Sequence, residues 1–356
     1  MSLSSKVGAA VMESASSLRF SLFDLIHRLI FPPESNCTSD TPSAPEFLSN
    51  LEPFQVVMIS IASCLTLIIL ILALIHWFYV YNYVALEERR NKLYWLVTLF
   101  PVSTSCCLLS MLIPRASLII SALGILYFLV CLQILVSLCR HLFGGRTSFS
   151  DVLQIESRQI DFRSPPFCCL LPKLPRAAAT EKNLRRLEWF VLQAPIVRSL
   201  ILIVDIVAVT ELREAAVPIL RYADVAAVGS LMLAIFGVHT LARTTADKLS
   251  DYCFMTIFRL VDISLLFFSG QQPIIFQNIL VRFNLIKCGP LLSSLENAAF
   301  VCNFVVICEL FCLCLIASWL LSPRRNAMFD KLPIWHRTLP SLHETEQSIL
   351  DAEYQN

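Results

Sequence analysis

Seven long apolar blocks, separated by polar and charged segments, dominate the pattern of positions along the chain. Each block is near the roughly 20 residues that a helix needs to cross the hydrocarbon core of a membrane. Lipid offers no hydrogen-bond partner to backbone groups, so each block is predicted to be a helix. The fold class predicted is an all-α integral membrane protein with seven transmembrane helices. The blocks are residues 54–80, 93–113, 117–138, 187–209, 223–241, 254–280 and 298–321.

Composition agrees with this pattern. Of the 356 residues, 56% are hydrophobic and only 15% are charged, whereas a soluble domain carries about 25% charged residues. No basic run alternates with aromatic residues, so nucleic-acid binding is not expected. The chain has no GxSxG, Walker or HExxH motif, and its six histidines are scattered. We therefore expect no enzyme activity, no metal site and no cofactor.

The distribution of lysine and arginine predicts the orientation. These residues are concentrated in the loops after the first, third and fifth blocks and in the tail, which makes that side cytosolic. The predicted organisation is an extracellular segment at 1–53, a membrane domain at 54–321 with a cytosolic loop at 140–186, and a cytosolic tail at 322–356. The N-terminus is then extracellular and the C-terminus cytosolic.

The N-terminal segment contains two features of interest. Residues 18–31 have apolar positions at helical spacing but are too short and too charged to span, so we interpret them as an interfacial helix, with a signal peptide as the alternative. Asn36 begins an Asn-Cys-Thr sequon, which is predicted to be a glycosylation site if this segment is lumenal.

Ionisable side chains inside the apolar blocks are the strongest functional signals, because each is costly in a membrane. Arg198 and Asp205 are seven positions apart and lie on nearly one helix face. Arg259 and Asp262 are three apart and can pair within their helix. Glu309 lies in the seventh block. These ionisable side chains predict one of two things. They either line a polar substrate path, or they are structural, as ion pairs and as side chains that snorkel to the membrane surface.

A glutamine pair precedes a proline at Gln271, Gln272 and Pro273 in the sixth block. Proline removes a backbone hydrogen bond and kinks a helix, and the amides beside it can bind a polar ligand. A plain kink is the alternative, and it is the interpretation we favour for Pro101 and Pro195.

Cysteines outside the blocks suggest two modifications. Cys168 and Cys169 lie in the basic loop before the fourth block, a context typical of palmitoylation. Cys37 and Cys288 fall in segments predicted to be extracellular, where two thiols suggest a disulfide, although the sequence cannot show that they meet.

Short motifs along most of the chain resemble the alpha subunit family of the organic solute transporter. No motif alone is specific, but the ordered set is. Gln193 and Arg198 fall where that family has a glutamine and a basic residue. The other matching positions are Cys37, 47–53, Cys106-Cys107, 113–117, 143–145, 166–169, 171–176, 272–276, Cys288, Ser293-Ser294, Glu309 and Arg324-Arg325.

The resemblance implies facilitated transport of amphipathic organic anions, such as bile acids, conjugated steroids or eicosanoids. It also implies a single-pass beta partner, an N-terminus outside, the Cys37–Cys288 bridge and lipidation of Cys168 and Cys169. We expect a multi-pass protein of the plasma membrane, delivered through the endoplasmic reticulum and Golgi and surrounded by membrane lipid, with self-association left open. Two departures concern this chain: leucines and Lys173 interrupt the cysteine-rich loop, and Asp205 and Asp262 have no counterpart in the family pattern.

The hypothesis places the transported anion in a groove between helices. Arg198 would face the anionic group, and Gln193, Gln272 and Glu309 would hold polar edges, with Asp205, Asp262 and Pro273 also on the path. One alternative is a membrane-organising or trafficking protein of the same family. Another is a seven-helix receptor, which is disfavoured because no acidic residue precedes Arg140 and the seventh block has no Asn-Pro-x-x-Tyr motif.

Overall fold

A computed structural model describes residues 41–155, 159–163, 176–320, 322 and 326–330 of the chain, without the side chains of residues 213, 214 and 217. Seven helices in these ranges are long and apolar enough to cross a membrane, as predicted. We call the membrane face that carries residues 41–52 the N-terminal face, and the face that carries residues 326–330 the C-terminal face. The predicted interfacial helix at 18–31, Asn36, Cys37, Cys168, Cys169 and Arg324-Arg325 lie outside the described residues.

The first half of the bundle contains three spans. Short helix α1 precedes the first span, α2; the second span is broken into α3 and α4, and a 3-10 turn leads into the third span, α5. The break at Thr98 comes three residues before Pro101, because a proline cannot donate a backbone hydrogen bond to the carbonyl of Val97. The bounds are α1 Ala44–Ser49, α2 Pro53–Tyr83, α3 Glu87–Val97, α4 Leu99–Leu112, the 3-10 turn Pro114–Ala116 and α5 Ser117–Leu142.

The second half of the bundle contains four spans. A surface helix, α6, and a two-stranded antiparallel sheet lie between the third span and the fourth, α7. Helix α7 runs unbroken through Pro195, and α8 is the fifth span. The sixth span starts as α9 and continues as a π-helix, and α10 is the seventh. The bounds are α6 Arg146–Ile155, β1 Gln159–Asp161, β2 Arg176–Ala178, α7 Glu181–Leu212, α8 Val217–Thr245, α9 Phe254–Gln271, the π-helix Gln272–Val281 and α10 Ser294–Leu320.

Local sequence explains where the first and last spans begin. Helix α2 starts with Pro53, whose missing N–H costs nothing at a first helical position, and the Gln55 side chain accepts the Glu52 N–H at 3.1 Å. Helix α10 starts with a capping box: Ser293 N–H donates to the Glu296 carboxylate at 2.9 Å, and Glu296 N–H donates to the Ser293 hydroxyl at 3.3 Å.

Two hydrophobic cores hold the bundle together. One occupies the C-terminal-face half, joining the third to sixth spans with parts of the first two, and includes Met328 and Phe329 from the segment after α10. The other occupies the N-terminal-face half around α2, α4, the π-helix and α10, and includes Phe47 from α1. The N-terminal-face half of the α7–α8 hairpin belongs to neither core.

Candidate transport site

The fourth and fifth spans form a hairpin joined by polar contacts. Gln193 of α7 accepts a hydrogen bond from the Ser230 hydroxyl of α8 at 2.7 Å and donates to the Ser230 carbonyl at 2.9 Å. The two helices come close together at Gly237, because a Cβ there would stand 3.1 Å from the Leu187 carbonyl oxygen and from Phe190 Cβ. A glycine at such a contact allows two membrane helices to approach closely.

Farther toward the N-terminal face, the same hairpin carries a charged cluster. Arg198 of α7 is half-buried and interacts electrostatically with Asp224 of α8 and with Asp205 of its own helix. Asp205 is 5% exposed, and its Oδ1 has no hydrogen-bond partner among the described residues. Arg198 makes no direct ion pair there either, and its Nε has no partner. The guanidinium therefore keeps hydrogen-bond donors for a ligand.

Apolar side chains surround this cluster and point away from the bundle. They form a continuous lipid-facing surface on both helices of the hairpin, because neither core reaches this half of α7 and α8. An amphipathic solute could place its apolar body on such a surface while its charged group meets Arg198. The exposed side chains include Ile196, Leu200, Ile203, Val204, Val207, Tyr222, Val225 and Val228.

A histidine–aspartate pair links the fifth and sixth spans. His239 Nε2 of α8 lies 3.2 Å from Asp262 Oδ2 of α9, and the imidazole packs edge-on against Phe258 at a centroid distance of 5.0 Å. The expected pairing of Asp262 with Arg259 is wrong: Arg259 is exposed, and tertiary packing supplies His239 instead. Helices α8 and α9 otherwise approach each other little, so this pair is a direct polar link between them.

Glu309 and the glutamine pair lie on the other side of the bundle. The Gln271 amide nitrogen donates to both carboxylate oxygens of Glu309, at 2.8 and 2.9 Å. Beyond Gln271 the helix widens into a π-helix instead of making a plain kink at Pro273. The Asn278 side chain donates to the Pro273 carbonyl at 2.7 Å, which satisfies a backbone acceptor in the altered turn.

The C-terminal face carries a separate ionic cluster. Glu188 of α7 is 8% exposed and accepts hydrogen bonds from Arg146 at 2.5 Å and from Arg140 at 3.4 Å. The hydrogen bond to Glu188 raises the pKa of Arg146 above its ordinary value. This cluster anchors the loop after α5 to the start of α7.

Residues 41–52 cover part of the N-terminal face. The Thr41 hydroxyl donates to the Glu296 carboxylate, and Arg115 Nε donates to the Thr41 carbonyl at 2.8 Å. Phe47 is fully buried against Phe300, with ring centroids 6.1 Å apart. In the loop after the π-helix, Cys288 is disulfide-bonded, whereas every other cysteine among the described residues is free.

The predicted site residues therefore separate into three places. Gln193, Arg198 and Asp205 lie together on the α7–α8 hairpin, and Asp262 lies at the α8–α9 link. Gln272, Pro273 and Glu309 lie beside α10. Among the described residues, no hydrogen bond or ion pair joins Arg198 to Glu309, and the groove that contains both stays a prediction.

Sequence reasoning missed three polar residues that matter here. Asp224 and His239 both lie inside the predicted fifth block, and an ionisable side chain at those positions was the available signal. Asn303 of α10 is 8% exposed inside the second core. A single asparagine in an apolar block does not indicate which side chains surround it.

The fold and the polar residues inside its spans define a multi-pass membrane protein with seven helices. Its sequence matches the profile of the family described as Organic solute transporter Ostalpha over residues 58–326. The chain belongs to this family, which confirms the resemblance found in the sequence.

Named relatives agree with this assignment. The chain is 62% identical to "Organic solute transporter alpha-like protein 3" of Caenorhabditis elegans over 336 residues, covering 93% of this chain and 97% of the relative. It is 30% identical to "Organic solute transporter alpha-like protein 2" of the same organism over 341 residues, covering 94% and 98%. It is 21% identical to "Organic solute transporter subunit alpha" of Danio rerio over 292 residues, covering 80% and 87%. No solved structure matches.

Proposed function

We propose that this chain is a facilitative transporter for amphipathic organic anions of the bile-acid, steroid-conjugate or eicosanoid type. The observation that carries the proposal is Arg198, a half-buried cation without a direct ion pair among the described residues, on a lipid-facing apolar surface. A sulfate or carboxylate would bind the planar guanidinium in two-pronged fashion, and the apolar body of the solute would lie along α7 and α8.

The nearby carboxylates make this binding weak and reversible. Asp205 and Asp224 both interact with Arg198, so an incoming anion competes with them for the guanidinium. A charge that is shared in this way can accept an anion from one side of the membrane and release it to the other. The solute gradient then supplies the direction, which is what facilitated transport requires.

The test is uptake of a labelled sulfated steroid by cells that express Arg198→Glu. We expect uptake to fall about tenfold or more, because a buried charge pair contributes at least that much to binding, while the amount of protein at the surface stays unchanged. Arg198→Lys should retain part of the uptake, and Arg259→Gln, which removes an exposed cation from α9, is the matched control. Normal uptake by surface-expressed Arg198→Glu would remove Arg198 from the path.

We also propose that the N-terminal face is extracellular and that Cys37 is the disulfide partner of Cys288. Support comes from Cys288 being disulfide-bonded while the other described cysteines are free, since disulfides persist in oxidising compartments. The same orientation makes Asn36 available for glycosylation and leaves Cys168 and Cys169 in the cytosol for palmitoylation. Non-reducing peptide mapping should recover a Cys37–Cys288 cross-linked peptide, and recovery of Cys288 with another cysteine would reject that pairing.

A single-pass beta-type partner completes the proposal, with the plasma membrane as the site of action. Support for a partner comes from the Danio rerio relative, whose name, "Organic solute transporter subunit alpha", describes one subunit of a transporter. Uptake should require co-expression of the partner and should run in either direction with the gradient. Full uptake by the chain alone would remove the partner from the mechanism.

A further inference from the structure

A cavity of about 190 Å³ lies near the N-terminal face. The end of α4, the start of α5, the π-helix and the start of α10 line it, and it is partly open. Its walls combine apolar side chains, including Met111 and Phe300, with the side chains of Gln272, Gln277 and Asn303. The sequence predicted a place for Gln272 on the transport path, but the proposed function rests on Arg198 and gives the cavity itself no role.

Three amides at the cavity lack hydrogen-bond partners. Asn303 is 8% exposed, and within the described parts of the chain its side chain neither donates nor accepts a hydrogen bond. The same holds for the side chains of Gln272 and Gln277. Buried polar groups are normally paired with protein or with ordered water. Asn303 is buried and Gln272 and Gln277 are half-buried, so the cavity wall offers one buried and two partly exposed amides to an occupant that can both accept and donate hydrogen bonds.

The charge of the lining limits the chemistry of that occupant. Glu296 is the one ionisable side chain in the described lining, and it already accepts hydrogen bonds from Ser293 N–H and the Thr41 hydroxyl. No lysine or arginine lines the described cavity, so an anionic group would find no counter-charge. Amides and the hydroxyls of Ser110 and Ser117 suit neutral hydroxyl groups, which donate and accept equally well.

The size and walls of the cavity indicate a ring. A cavity of about 150 Å³ lined by apolar residues can hold benzene, so the space here accommodates one six-membered ring with small substituents. Phe300 and Met111 supply apolar walls for the ring faces, and the amides of Gln272, Gln277 and Asn303 lie in the same lining. A whole steroid does not fit within this volume.

We propose that this cavity is a binding site for a neutral hydroxylated ring, distinct from the Arg198 site. Such a ring is found in free sugars and in the headgroups of glycolipids. Residues 41–52 lie over the same face: Thr41 contacts Glu296, which lines the cavity, and Phe47 packs on Phe300. The ring therefore enters from the N-terminal face beside this segment.

The experiment measures ligand binding and not transport, so it is independent of the proposed function. Purified full-length protein in phosphatidylcholine nanodiscs is titrated with trans-1,2-cyclohexanediol, cyclohexanecarboxylate and cyclohexylamine, with ligand-observed saturation-transfer NMR as the readout. We expect saturable binding of the diol alone. Asn303→Leu should weaken it about tenfold, the effect of losing one well-formed hydrogen bond. Gln154→Leu removes an amide near the C-terminal face and should leave binding unchanged.

Two further arms keep the result interpretable. Gln277→Leu removes a half-buried amide from the π-helix wall and should weaken diol binding even if Asn303→Leu fails to fold. Displacement of the diol by glucose in plain nanodiscs identifies a free sugar as the source, and displacement only in nanodiscs that contain glucosylceramide identifies the lipid headgroup. Preferential binding of the amine or the carboxylate, unchanged binding in both variants, or no saturable binding of the diol would overturn the proposal.

Discussion

The α7–α8 hairpin and the region where the π-helix meets α10 both hold polar side chains inside apolar spans. The two regions differ in the hydrogen-bond partners and the packing around those side chains. In the hairpin, Arg198 shares a weakly packed surface with Asp205 and Asp224 and keeps unpaired donors. Beside α10, Glu309 is held by two hydrogen bonds from Gln271, within a hydrophobic core. The first arrangement suits transient binding of a charged group, and the second suits a stable structure with a cavity beside it.

The difference follows from packing. Helices α2, α4 and α10 surround their polar residues with buried side chains, so each polar group needs a local partner or an occupant of the cavity. Neither hydrophobic core reaches the N-terminal-face halves of α7 and α8, so the charged cluster there lies beside exposed apolar side chains. Mutations that alter one region should therefore leave the other intact.

The largest effect is expected when the hairpin is forced apart at Gly237. Gly237→Leu places a side chain where even a Cβ would lie 3.1 Å from the Leu187 carbonyl oxygen. Overpacking of this kind lowers the free energy of unfolding by about 1–3 kcal/mol. We expect a loss near the upper end of this range, because the neighbouring atom belongs to the backbone of Leu187 and cannot move aside as a side chain can. The melting temperature of the purified protein in detergent should fall clearly, and less protein should reach the surface.

The same helix provides the control for this change. Gly229→Leu, two turns away on α8, adds an identical side chain where nothing lies within 4 Å of the new Cβ. It should melt like the unchanged protein. If both variants lose stability equally, the close approach of α7 and α8 at Gly237 is not what holds the hairpin together.

A smaller effect is expected on the other side of the bundle, at Gln271. Gln271→Leu removes both hydrogen bonds to Glu309 and leaves a half-buried carboxylate without its donor, at a cost of about 2 kcal/mol. The double variant Gln271→Leu/Glu309→Leu should recover most of that loss, because replacing both partners by apolar groups leaves nothing unpaired. Thermal unfolding of the single and double variants measures the coupling. A double variant that is less stable than Gln271→Leu would contradict a purely local pair.

The smallest effect is expected at Gln193, where the hairpin is joined by hydrogen bonds to Ser230. Gln193→Leu removes both interhelical hydrogen bonds. Such bonds contribute only about 0.6 kcal/mol on average between membrane helices, so the melting temperature should barely change. Ser230→Ala removes only the hydroxyl donor and should have less effect still. A loss as large as that of Gly237→Leu would mean that polar contacts, and not close packing, hold α7 to α8.

Much of the architecture was predictable from the sequence, and particular residues show why. Each of the seven blocks corresponds to one spanning helix, because the cost of unpaired backbone groups in lipid leaves a long apolar block no other structure. Pro101 predicted a kink in the second span, where the helix breaks at Thr98, whereas α7 continues through Pro195 without a break. The spacing of Arg198 and Asp205 predicted that they share one face, and the two side chains do interact.

The partners of the polar residues were not predictable in the same way. Asp262 had Arg259 within reach on its own helix, yet it pairs with His239 of α8, and Asp224 joins Arg198 from a different helix. Pro273 predicted a kink, but a π-helix forms, in which the Asn278 side chain donates to the Pro273 carbonyl. Such choices depend on which helices become neighbours, and no local pattern encodes that.

By itself, the sequence determined the membrane class, the number of spans and the family, because hydrophobic block length and ordered motifs are local properties of the chain. Only the tertiary structure decided that Arg198 and Glu309 lie in separate places, that Asn303 faces a cavity, and that Gly237 lies at a helix contact. These are relations between helices, set by how side chains from distant parts of the chain pack against one another.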